Sequence, residues 1–231
     1  TALQQRDLAS AKGTKSSVLK VTQGEEAKYQ QLIQKTKQDL DRLKEQIFYL
    51  QQNGITVEDA VKYAKLAALG AGIRPAFLLA LLEVESRLGQ NVGSGNWQDD
   101  MVQCYIRLSK IAKTTDRRDF YLKRAETEKN AFISITSAMG VDPNTVKVSR
   151  EPSYGCGGAM GPAQFIPSTW LAYVSAVKAQ TGRAVANPWN TEDAFTAAAI
   201  KLARGGAASK TRAGEIAAAK AYIGGSPNCS Q

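Results

Sequence analysis

The sequence predicts a mainly α-helical protein, and three observations carry that prediction. Apolar residues recur at helical spacing in most segments, period-two alternation is nearly absent, and turn formers gather in two stretches, 142–167 and 181–190. With 231 residues and a hydrophobic fraction of 43%, the chain can fill one core and carry an extended element beside it.

Residues 1–52 are rich in Gln, Lys, Glu and Asp and contain no proline. Tyr29, Ile33, Thr36, Leu40, Leu43, Ile47 and Leu50 alternate spacings of four and three, the seam of a coiled coil. A seam needs a cover, either the chain's own domain or a partner engaged through residues 29–50. Asn53–Gly54 stops the helix, so a coiled-coil-like segment, 1–52, and a helical domain, 53–231, are expected.

In that domain Thr56 caps a helix running to about Gly70, and Pro75 opens the next. From Ala76 to Leu88 the chain is apolar almost all round, which marks a buried central helix. Further helices are expected at about 97–113, 117–139, 168–181, 191–204 and 212–223, with at most a small β-hairpin around Val146–Tyr154.

Composition narrows the chemistry. Histidine is absent, which removes serine–histidine triads, cysteine–histidine pairs and histidine-bearing zinc sites. Carboxylates remain, the usual tools for breaking glycosidic bonds. Lys and Arg exceed Asp and Glu by 30 to 21, so anionic partners are favoured. No interleaved basic and aromatic module supports nucleic-acid binding, and no metal or cofactor is implied. No apolar run reaches the roughly 18 residues that a membrane helix needs, and an export signal is not expected within these residues.

Cys104, Cys156 and Cys229 are odd in number and lack C-x-x-C spacing. Cys156 and Cys229 lie among glycines and small polar residues, whereas Cys104 sits in a helical stretch. This favours a Cys156–Cys229 bridge while leaving other pairings open.

One acid is out of place. Glu85 shares a helix face with Leu78, Leu81, Leu82 and Leu88, at offsets of three, four and seven. A carboxyl on an apolar face loses hydration and holds its proton to higher pH, as a general acid requires. The alternative is a buried structural glutamate. Glu83, four residues before Arg87, suits an ordinary ion pair.

The segment Glu83-Val-Glu85-Ser86-Arg-Leu-Gly89 resembles the lytic transglycosylases, whose lysozyme-like domain sets a catalytic glutamate before serine near the end of a buried helix. GAMGPAQFIPSTW, residues 158–170, is similar to the family's cleft signature, and NPWNTEDAFTAAAIKLA, residues 187–203, to its asparagine-rich turn and small-residue helix. Ala221-Tyr222-Ile223-Gly-Gly resembles an element that brings a tyrosine near the acid, with Ile223 where asparagine is usual. Gly155 and the pair Ile200–Lys201 also depart from the family pattern, Lys201 standing where some relatives carry tyrosine. The matches span about 55–225 and leave the N-terminal helix outside.

The resemblance implies that Glu85 is the catalytic residue and that Ser86, Gly158, Met160, Gln164, Phe165 and Tyr222 bind substrate. The residues themselves fit: glycines let a polymer approach backbone groups, Gln164 can donate to and accept from sugar hydroxyls, and Tyr222 could hydrogen-bond Glu85. Trp170 is expected inside, Trp189 as a loop anchor more than a sugar platform, and Asp193 as a first-turn acid stabilised by its helix dipole.

The implied activity is cleavage of peptidoglycan glycan strands without water, leaving 1,6-anhydromuramic ends, in an extracytoplasmic, envelope-associated setting. A hydrolytic goose-type muramidase and a non-catalytic peptidoglycan-binding scaffold are the alternatives.

Overall fold

The computed structural model describes residues 24–36, 57–87, 89 and 92–223. Contacts divide the chain into two units, Thr1–Phe48 and Tyr49–Gln231. In the first, residues 24–36 are helical, and Tyr29 and Ile33 of the expected seam are exposed. Leu40, Leu43, Ile47 and Leu50 lie outside the described residues, as do the Asn53–Gly54 stop, the Thr56 cap and the expected boundary at 52/53.

The described helices of the second unit are α1 (Val57–Ala71), α2 (Pro75–Ser86), a π-helical segment (Trp97–Gln103), α3 (Cys104–Ile111), α4 (Thr115–Met139), α5 (Pro167–Leu171), α6 (Val174–Thr181), α7 (Thr191–Arg204) and α8 (Arg212–Ile223). Their ends follow from local chemistry. Thr114 and Asn190 cap α4 and α7 by accepting from the N–H groups of Arg117 and Asp193. Gly140 closes α4 in the left-handed region.

The core is built on small residues. Ala60, Ala64, Ala67 and Ala68 form the buried stripe of α1, which packs on α7, where Ala194, Ala197, Ala198 and Ala199 are buried. Without bulky side chains the two backbones can lie close. α2 packs on α7 as well, and Arg74, just before α2, grips Glu215 of α8 through both carboxylate oxygens.

Several expectations are corrected. The helix foreseen at 97–113 is a π segment followed by α3; a wider turn does not announce itself in apolar spacing. The helix at 168–181 breaks between Leu171 and Val174. Around 146–154, where at most a small hairpin was expected, there are single antiparallel bridges, Val148 to Gly95 and to Met160, and Met160 to Phe165. α2 is not buried all round, for Val84 is 77% exposed.

The disulfide joins Cys104 to Cys156, with Cα atoms 5.6 Å apart, and not Cys156 to Cys229, which lies outside the described residues. Cys104 opens α3 directly after the π segment, and the glycine-rich loop is drawn onto that segment by Asp100. Its carboxylate accepts from Asn96 and Glu151, and its carbonyl accepts from Gly157 at 2.8 Å. The pairing follows from this long-range docking, which sequence spacing does not encode.

Candidate active site

Glu85 is the penultimate residue of α2 and is half-buried on the stripe of Leu78, Leu81 and Leu82. Burial pushes its carboxyl above the ordinary carboxylate range, and the ammonium of Lys201 on α7 pulls it partway back. The carbonyl end of α2 acts in the same sense as burial, because a helix C-terminus disfavours negative charge. Among the described residues Glu85 makes no hydrogen bond or ion pair.

Ser86 ties this helix end to the glycine-rich loop. Its hydroxyl donates to the Pro162 carbonyl (2.5 Å) and accepts from the Gly89 N–H (2.8 Å). At 1% exposure its side chain lies behind the surface and fixes the loop to the end of α2.

The loop itself is held from within. Gly158 has φ +103°, and a Cβ there would lie 2.5 Å from the Met101 sulfur; at Gly161, with φ +59°, a Cβ would lie 1.9 Å from the Pro188 carbonyl oxygen. Only glycine fits at either point. Met160 is 0% exposed and Phe165 3%, because their backbones bridge each other and their side chains enter the core. Phe165 meets Trp170, Tyr173 and Tyr222 edge-on at 5.7, 5.5 and 5.9 Å. Gly158, Met160 and Phe165 therefore pack behind the surface of the loop.

Gln164 differs from its neighbours. It is partly exposed, sits in the left-handed region at φ 50°, and donates from its side-chain amide to the Gly161 carbonyl at 2.8 Å. A non-glycine residue in that region costs about 1 kcal/mol, and such strain collects at functional sites. Its amide oxygen carries no bond among the described residues.

Tyr222 is 8% exposed, and its hydroxyl donates to the Ala163 carbonyl at 2.8 Å, not to Glu85. Burial holds its phenol well above the ordinary range, with the charges of Glu85 and Tyr173 adding to the effect. It is a neighbour of the acid that braces the loop. Lys201 was legible only as a departure from pattern, yet its position held a signal: it lies three and four residues after Ala198 and Ala197, on the buried stripe of α7. Its Nζ donates to the Tyr222 carbonyl at 3.0 Å and lies 4.0 Å from the Tyr222 ring centre and 5.4 Å from that of Phe165.

The other acids have structural partners. Glu151 pairs with Arg107. Asp193, fully buried, accepts from Asn187 (2.8 Å) and pairs with Arg183 (3.1 Å); burial raises its carboxyl, and those two partners oppose the rise. Trp170 is buried as expected, and Trp189 donates from its indole to the Lys147 carbonyl at 2.8 Å, an anchor. Among the described residues no cluster of three His, Cys, Asp or Glu side chains could hold a metal ion, and no helix is long and apolar enough to cross a membrane.

Solved structures with a similar chain trace include an Escherichia coli lytic transglycosylase in complex with bulgecin A, 23% identical, covering 72% of this chain and 45% of that one at a TM-score of 0.49. The soluble lytic transglycosylase SltB1 of Pseudomonas aeruginosa is 23% identical, covering 71% and 47% at a TM-score of 0.48. The chain spans under half the length of these structures, and no curated protein matches it. The profile of the family described as Transglycosylase SLT domain matches residues 7–223. That match takes in most of the N-terminal segment that motif resemblance had left outside. On this match, along nearly its whole length, the chain belongs to the transglycosylase SLT domain family.

Proposed function

We propose that the protein cleaves the β-1,4 bond between N-acetylmuramic acid and N-acetylglucosamine in peptidoglycan by lytic transglycosylation, with Glu85 as its single acid and base. The observation that carries this reading is a half-buried carboxyl, pushed up by desolvation and without a structural partner among the described residues, beside the glycine-rich loop.

The chemistry follows from that one group. Protonated Glu85 gives its proton to the glycosidic oxygen as the C1–O bond breaks, and the substrate's N-acetyl group supports the cationic carbon. The resulting carboxylate then takes the proton of the muramic C6 hydroxyl, whose oxygen bonds to C1 and closes the 1,6-anhydro ring. Glu85 ends as it began, and no water is consumed. Gln164 is the side chain best exposed to meet sugar hydroxyls, while Ser86, Gly158, Met160, Phe165 and Tyr222 hold the site in shape.

Two-carboxylate hydrolysis is less well supported. Glu83 projects about 200° around α2 from Glu85, and Glu151 and Asp193 are committed to Arg107 and Arg183. Product masses from a sacculus digest test the reading: muropeptides lighter by one water than hydrolytic products are expected, and reducing muramic ends would establish the muramidase alternative. With it go an extracytoplasmic, envelope location and a domain boundary near residue 53, the seam at 29–50 being covered either by the chain's own domain or by a coiled-coil partner.

A further inference from the structure

The feature of the site that neither the motif nor the general chemistry explains is a lysine beside the acid. Lys201 stands on the buried stripe of α7, yet its ammonium is not left unpartnered. It donates to the Tyr222 carbonyl near the end of α8 and lies against the faces of Tyr222 and Phe165. A helix C-terminus and two aromatic faces each favour a cation, so contacts with two residues, Tyr222 and Phe165, fix its place. Among the described residues no ion pair joins it to Glu85, although the two charges act on each other. The Ser86 hydroxyl, next to Glu85, bonds the Pro162 carbonyl and the Tyr222 hydroxyl bonds that of Ala163, so a lysine lying on the Tyr222 ring is brought to the acid's end of α2 while tethered elsewhere.

We propose that Lys201 is a positioning residue for the proton transfers of Glu85: a cation held by Tyr222 and Phe165 that steadies the carboxylate between giving up its proton and taking one back. This rests on the role of Glu85 proposed above. A group that must be acid and then base needs both forms within reach. Burial alone would favour the acid form and make the carboxylate costly. A directly paired lysine would hold the carboxylate and spoil the acid. A cation anchored to a carbonyl and two rings offsets part of the desolvation without capturing the group.

The other groups acting here are few. Tyr222 of α8 feels the charge of Glu85, Tyr173 acts on Tyr222 from the α5–α6 junction, and Arg204 of α7 stacks on Tyr173 at 5.0 Å. The neutral phenols add no positive charge, so Lys201 is the cation that acts on Glu85. Burial lowers the proton affinity of Lys201 itself, and Glu85 opposes that fall. The coupling is therefore mutual.

The test is a carbon-13 titration of the Glu85 carboxyl in the full chain, for wild type, Lys201→Met, Lys201→Gln and Lys201→Arg, run beside the pH profile of cleavage. Removing the charge should raise the Glu85 midpoint by about one unit and move the basic limb of kcat/KM upward with it, while the Arg variant stays near wild type. Two charge-removing variants guard against one failing to fold. A midpoint unmoved or lowered in Met and Gln variants that keep their melting transition overturns the proposal, as does an Arg variant that shifts like Met. A midpoint that rises in the variants while the wild type itself cleaves nothing at any pH supports the coupling and overturns the acid role of Glu85.

Discussion

Glu85 and Glu128 are both glutamates on the inner face of a helix, and their surroundings make them opposites. Glu128 is 0% exposed and saturated with donors: the Ser168 N–H at 2.8 Å, the Ser168 hydroxyl at 2.6 Å and the Arg124 guanidinium at 2.9 Å. It joins α4 to the start of α5, supplying from 40 residues away the cap that Ile166 cannot give. Glu85 is half-buried, has no such donors among the described residues, and feels one cation tethered to other groups. A buried acid with all its partners holds a fold together. One that lacks them remains free to exchange a proton.

The scaffold side of this contrast should show the largest stability effects. Replacing Cys104 or Cys156 by serine opens a span of 52 residues and should cost about 4 kcal/mol by loop entropy, read from denaturant midpoints. Glu128→Gln should cost about 3 kcal/mol, because Ser168 and Arg124 lose an anionic acceptor; the cleavage rate of the folded fraction should stay at wild-type level. If that rate collapsed while the fold held, the division between scaffold acid and reactive acid would be wrong.

Smaller effects probe the reactive side. Gln164→Gly removes a side chain from the left-handed region and should stabilise by up to about 1 kcal/mol, while slowing cleavage about tenfold for the hydrogen bonding lost. The smallest change expected is a gain in stability for Glu85→Gln. The folded-state pKa of Glu85 lies above its unfolded value, so its charge destabilises the fold as pH rises through the unfolded pKa and then the folded one. The Gln variant escapes that loss; its advantage should grow across this window and be constant on either side. Melting curves at several pH values read it directly.

Sequence made one half of this comparison visible. Glu85 stood out because helical spacing placed a carboxyl among leucines, and the approximate spans of α1, α4, α7 and α8 were legible from helical spacing and the turn formers between them. Glu128 was not, since its partners at Ser168 come from another helix and its own i−4 arginine reads as a routine surface pair. The Cys104–Cys156 bridge depends on Asp100 docking a distant loop, and the π segment adds width to a turn without a compositional mark. The residues that motif resemblance assigns to substrate lie mostly behind the surface of the loop. A motif records what must be invariant in space, and packing residues such as Met160 and Phe165 meet that demand as fully as a ligand contact does.

The most direct test of the account is the release of soluble fragments from purified sacculi by wild type and by Glu85→Gln at matched folded concentration. Loss of about 10²–10⁴-fold or more in rate, with an unchanged circular dichroism spectrum, is the predicted result. Fragments released at the wild-type rate by the Gln variant would contradict it, because no proton could then be passing through that side chain.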